Sequence, residues 1–125
     1  MKRYAAQYLF VAGQGYLKMM VAEVKEGNVV SLFSLKEEVE NTEWLPGVLL
    51  LIPDGGGMQD VRDDEMEWQI GDGNMNRWRA LYVNKPLATS TDILASHSRA
   101  RLFSCPAFSF DTMLPCVGIR HRRLL

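Results

Sequence analysis

The stretch Glu43-Trp44-Leu45-Pro46-Gly47-Val48-Leu49-Leu50-Leu51-Ile52-Pro53-Asp54 constrains this chain most. It holds the longest apolar run, opened by a Pro-Gly turn and closed by Pro-Asp ahead of Gly55-Gly56-Gly57. Consecutive aliphatics between such punctuation predict a strand buried on both faces, although periodicity alone leaves a buried helical turn open. As a helix the run is far too short to cross a bilayer. The residues before it read as strands able to pair around it, and the residues after it read as a second, more polar layer.

From Arg3 to Ala12 the apolar alternation is imperfect, but the aromatics Tyr4, Tyr8 and Phe10 favour a strand. Gly13-Gln14-Gly15 is a turn. Tyr16 to Lys25 is a second strand, with Met20, Ala22 and Val24 on one face and Met19, Val21, Glu23 and Lys25 on the other. After the turn Glu26-Gly27-Asn28, Val29 to Leu35 sets Val29, Ser31, Phe33 and Leu35 against Val30, Leu32 and Ser34. Strand-like runs joined by short Gly-containing loops are a hairpin signal, so the first half reads as a β-meander. Lys36 to Asn41 is a polar link with room for one helical turn.

Beyond Asp54 the character changes. An acidic stretch, Asp60 to Trp68, leads to the turn cluster Gly71-Asp72-Gly73-Asn74. Trp78 to Val83 has strand composition. Between Pro86 and Ser98 two readings stay open: a short helix over Ile93 to Ser98 capped by Thr89, Ser90, Thr91 or Asp92, or an extended segment. Arg101 to Cys105 and Ala107 to Phe110 are strand-like and divided by Pro106. The tail Val117 to Leu125 alternates weakly and is placed to close a sheet.

Charge is distributed in blocks. The chain carries a net charge of -1, yet residues 54–72 hold seven acids against Arg62, and residues 99–125 hold five arginines against Asp111. An acidic middle and a basic tail attract each other across the fold or between subunits, and the small total gives no pull toward nucleic acid or acidic membranes. Hydrophobic residues make up 47% and charged residues 23%, which excludes a disordered chain. The N-terminus has Lys2 and Arg3 but no signal-peptide core, so a cytoplasmic protein is expected.

Residues 3–53 also resemble a known family. A strand opening the chain, a second strand ending in Glu26-Gly27-Asn28-Val29-Val30, and Leu45-Pro46-Gly47 before an aliphatic run resemble the start of amidohydrolase-superfamily enzymes. There this region forms half of a composite β-sandwich beside a metal-binding (β/α)₈ barrel. The resemblance implies the sandwich and not the activity. Leu51-Ile52-Pro53-Asp54 stands where the family's His-X-His pair belongs, no room is left for a barrel, and His97 and His121 are the only histidines.

The candidate chemistry is thin. Asp60, Asp63, Asp64, Glu65 and Glu67 offer oxygens for a hard cation but lack the ladder of a calcium loop, so a solvated acidic loop is expected. Cys105 and Cys116 are too few for a disulfide framework, and with His97 and His121 they show no zinc spacing. A structural role is expected of both cysteines, because no helix N-terminus or paired base activates either thiol. Ser96-His97-Ser98 with Asp92 is the one arrangement resembling a hydrolytic set. Gly13-Gln14-Gly15 and Gly55-Gly56-Gly57 lack the context of a phosphate loop. Arg120, Arg122 and Arg123, with Phe108 and Phe110, lack a recognisable nucleic-acid motif.

The fold expected is therefore all-β: a single small β-sandwich or partly closed barrel with at most one or two short helical turns. One domain spans 1–125, with 1–53 the meander, 54–77 the acidic, Gly-rich connection and 78–125 a second set of strands. The function expected is a non-catalytic binding or assembly module, free of metal and cofactor. Its partner is itself, as a homodimer, or another protein, through apolar surface to which Trp44, Trp68 and Trp78 contribute. Nucleic acid and membrane are not expected as partners. The rival is a small hydrolase-like enzyme using His97 with a nearby Ser and Asp92.

Overall fold

The computed structural model describes residues 2–36, 40–53, 66–67, 81–87, 100–116 and 120–124. No helix occurs among them, and 68% lie in strands, which makes the fold all-β. The strands are β1 (Lys2–Val11), β2 (Gly15–Lys25), β3 (Asn28–Ser34), β4 (Thr42–Trp44), β5 (Val48–Pro53), β6 (Met66–Glu67), β7 (Ala100–Cys105), β8 (Phe108–Ser109), β9 (Leu114–Pro115) and β10 (Arg120–Leu124). The main sheet runs β3-β2-β1-β5-β7-β10-β6, with β4 also paired to β1, and β8 and β9 form a separate hairpin.

β1, β2 and β3 are an antiparallel meander, with Tyr4 opposite Ala22 and Ala22 opposite Leu32, but it ends at Ser34 and does not extend over the expected 1–53. β5 then enters the centre of the sheet. It runs parallel to β1 from Tyr8–Val48 to Val11–Leu51, and its other edge takes β7 antiparallel from Val48–Cys105 to Pro53–Ala100. Every residue of β5 is buried, as its unbroken aliphatic run requires. β4 also lies parallel to β1, at Arg3 to Ala5, so β4 and β5 follow one another along a single edge of β1.

The step between β4 and β5 depends on Gly47. Its φ is +78°, and a Cβ placed there would lie 1.9 Å from the Cys105 carbonyl oxygen. Only a residue without a side chain lets the two chain segments approach this closely.

Side chains fill both faces of the sheet. One cluster gathers Leu9, Val11, Leu17, Leu49, Leu51 and Leu102. The other gathers Phe10, Leu50, Ile52, Tyr82, Phe103 and Phe108. Tyr4 and Ala6 share the first cluster with Leu9 and Val11, so β1 changes which face is inward between Ala6 and Leu9. β2 makes the same change between Leu17 and Met20, where Met19 adopts a positive φ of 51°. This paired switch is why the alternation from Arg3 to Ala12 is imperfect. The sheet also curls without closing. Arg123 on β10 donates to the Gly27 carbonyl in the β2–β3 turn at 3.0 Å, across the intervening strands.

Two further expectations need correction. The alternation assigned to residues 29–35 fails at a bulge: Val24 faces Val29 but Glu23 faces Ser31, and the extra residue brings Val29 and Leu32 to the same cluster. Residues 81–83, the described end of the strand expected over 78–83, are not a strand. Leu81 and Tyr82 are buried in irregular chain that packs on the second cluster. Beyond them, Lys85 O accepts from Tyr16 N–H, and Leu87 N–H donates to Tyr16 O, both at 2.9 Å. That clasp presses Lys85 against Gly15, where a Cβ would lie 2.2 Å from the Lys85 carbonyl oxygen.

Candidate functional site

The second cluster contains a polar chain that no spacing in the sequence announces. β10 pairs β7 with Arg122 opposite Ser104 and Leu124 opposite Leu102, and one further step of that register sets His121 opposite Cys105. The irregular segment lays Tyr82 beside both. Tyr82 Oη is hydrogen-bonded to His121 Nε2 and to the Cys105 thiol. Cys105 Sγ in turn donates to the Ala107 carbonyl at 3.5 Å.

The proton directions are set by the end of this chain, because a carbonyl only accepts. Cys105 gives its one proton to Ala107, so its sulfur accepts from the Tyr82 hydroxyl. The hydroxyl oxygen then accepts from His121, which assigns the proton to Nε2. All three side chains are buried, and against the Tyr82 ring Phe10 packs edge-to-face and Phe108 at a tilt.

Burial decides what this chain can do. Desolvation pushes the Cys105 thiol up to about 12, against smaller opposing effects of the Tyr82 hydroxyl, which donates to the sulfur, and of the Ala107 backbone. Desolvation likewise raises Tyr82 well above the ordinary phenol range, with Cys105 adding to the rise. At neutral pH neither is ionised, so the set provides neither a thiolate nucleophile nor a phenolate base. It fastens β7, β10 and the 81–87 segment together.

The surface offers something different. Ala5 lies opposite Val21 and Trp44, and Val21 lies opposite Phe33. Side chains directly opposite on neighbouring strands share a face, so Trp44, Ala5, Val21 and Phe33 form a continuous apolar row. Ala5 and Val21 are fully buried, Phe33 is half-buried and Trp44 is 52% exposed. The row ends on β3, which among the described residues pairs only with β2. β3 reads Asn-Val-Val-Ser-Leu-Phe-Ser and has neither a charge nor a proline, the usual protections of an edge. Its bulge leaves Val30 49% exposed.

The residues singled out from sequence divide accordingly. Cys105 is buried, whereas Cys116 is exposed. Of the three tryptophans, Trp44 is exposed, and Trp68 and Trp78 lie outside the described residues. Asp92, Ser96, His97 and Ser98 also lie outside them, as do Asp60, Asp63, Asp64 and Glu65. Among the described residues no group of His, Cys, Asp and Glu is arranged to hold a metal ion. No described helix is long and apolar enough to cross a membrane.

The acidic and basic blocks meet within the chain. β6 carries Glu67 opposite Arg120 and Met66 opposite His121, so the backbones of the two blocks run side by side. No family model, curated protein or solved structure matches this chain.

Proposed function

We propose that this protein is a non-catalytic assembly module that pairs with a second copy of itself through β3. The carrying observation is that β3 is a seven-residue edge strand without charge or proline, joined to an apolar row that reaches the edge at Phe33. Antiparallel pairing of two β3 strands about a two-fold axis satisfies the edge that stays unpaired among the described residues of each copy. It also continues each row, Trp44-Ala5-Val21-Phe33, into that of the partner. On this reading the protein is cytoplasmic, in a compartment that keeps thiols reduced. The sequence resemblance of residues 3–53 to a sandwich half from the amidohydrolase superfamily is taken on this reading to concern architecture alone.

The test is sedimentation velocity or light scattering over a concentration series. The wild-type chain should approach twice the 14.2 kDa monomer mass as concentration rises. Phe33→Lys, which puts a charge on the edge, should remain monomeric. Phe110→Lys, on the exposed turn of the β8–β9 hairpin, should dimerise normally. A monomeric wild type, or equal weakening by both variants, removes this reading.

A further inference from the structure

The base of the β8–β9 hairpin joins two thiols of opposite character. β8 and β9 pair Phe108 with Pro115 and Ser109 with Leu114, so Ala107 and Cys116 stand at the open end. The Ala107 carbonyl oxygen takes two donors there: the Cys116 backbone N–H at 3.1 Å and the Cys105 thiol at 3.5 Å. Because both reach one oxygen, Cys105 Sγ and Cys116 N are at most about 7 Å apart, and a disulfide between the two residues requires the base of the hairpin to shift. The two side chains also feel each other electrostatically, since Cys116 adds to the upward push on the Cys105 thiol. Cys105 is buried and Cys116 is exposed.

We propose that Cys105 and Cys116 are a peroxide-sensitive thiol pair that closes a disulfide across the base of the β8–β9 hairpin. The exposed Cys116 sulfur attacks a hydroperoxide. The O–O bond breaks, one oxygen joins Cys116 as a sulfenic acid, and the other departs as water or alcohol. Cys105 Sγ then attacks the Cys116 sulfur, the S–S bond forms and the S–O bond breaks. The hydroxyl leaves as water with the Cys105 proton. The two thiols together lose two electrons, and the peroxide gains them.

Burial shields Cys105 from the peroxide, so the exposed Cys116 reacts first, and Cys105 enters only as the resolving partner, giving up its proton as its sulfur attacks. Its capture by Cys116 withdraws the sulfur from Tyr82 and breaks the polar chain from His121 to Ala107. Oxidation at the surface is thereby reported inside the second cluster. In a reducing compartment such a bond is transient and responsive, not a permanent brace.

The experiment treats the full chain with hydrogen peroxide, blocks remaining thiols with an alkylating agent, and maps the peptides by mass spectrometry. Near-UV circular dichroism tracks the tyrosines on the same samples. Wild-type protein should yield an intramolecular Cys105–Cys116 peptide lighter by two hydrogens. Both thiols should be lost together, and the tyrosine signal should change and recover with dithiothreitol. Cys116→Ser, altered at an exposed position, should keep Cys105 reduced and the tyrosine signal unchanged under the same treatment. Three outcomes would overturn the proposal: over-oxidation of Cys116 with Cys105 intact, a Cys116–Cys116 bond between two chains, or loss of Cys105 in Cys116→Ser.

Discussion

At Gly47 the backbone of the β4–β5 step passes so close to the Cys105 carbonyl that a Cβ would stand 1.9 Å from its oxygen. Neither backbone can yield cheaply, since β5 and β7 are paired along their whole length there. Gly47→Ala should therefore cost upwards of about 3 kcal/mol in a denaturant melt, whereas Pro46→Ala, at an exposed neighbour, should cost under about 1 kcal/mol. The polar chain leads to a second residue-level prediction. Tyr82→Phe removes both the donor to Cys105 and the acceptor for His121, at about 1–3 kcal/mol. The same burial makes stability fall in alkali. The folded thiol of Cys105 holds its proton to about 12, while the unfolded thiol releases it near 9.0. Between those values the unfolded state binds fewer protons, so stability drops as pH rises, by up to about 1.4 kcal/mol per pH unit for this one group. Cys105→Ala should flatten that slope in urea melts taken from pH 8 to pH 11 or so, leaving the contribution of Tyr82. None of this chain was legible in the sequence. Tyr82, Cys105 and His121 meet only through the β7–β10 register and an irregular segment, and a polar residue at an inward position of a strand was their only signal.

At the scale of the element, β5 shows what patterning can and cannot reveal. Aliphatics at five consecutive positions, bounded by Pro-Gly and Pro-Asp, leave no polar face, so a strand covered on both sides was legible in the residues themselves. Its neighbours were not. Antiparallel meanders declare themselves through short turns, whereas the parallel placement of β5 against β1 depends on a crossover with no local signature. β3 was legible as a strand, but the bulge at Val30 reversed the faces after it, because a bulge shifts the period by one residue without altering composition. The 81–87 segment illustrates the opposite error: buried aromatic and aliphatic residues mimic a strand when they cover a sheet instead of joining it. The central position of β5 sets its energetic weight. Leu50 is fully buried in the second cluster, so Leu50→Ala should cost about 2–5 kcal/mol. Leu50→Asp should leave too little folded protein to measure a reversible transition, because an unpaired carboxylate would enter the same site. A loss under about 1 kcal/mol for Leu50→Ala would mean that the strand is not covered on both faces.

At the scale of the whole molecule, the charge blocks and the apolar edge make separable demands. A dimer held by reciprocal attraction between an acidic and a basic block dissociates as salt rises. Here the blocks already adjoin within one chain, where β6 lies against β10 at Glu67 and Arg120. In the proposed pairing a second copy meets β3, with its uncharged backbone edge and the row ending at Phe33. Screening shortens from about 10 Å at 0.1 M salt to about 3 Å at 1 M, and it leaves backbone pairing and apolar contact largely untouched. A salt series should then separate the two contacts in one sample. The dimer mass should hold steady or rise slightly from 0.1 to 1 M or so, while amide exchange in β10 should quicken as its attraction to the acidic segment is screened. A dimer that falls apart in high salt while β10 keeps its protection would reverse the assignment, placing charge at the subunit contact and leaving the β3 edge with no partner to explain.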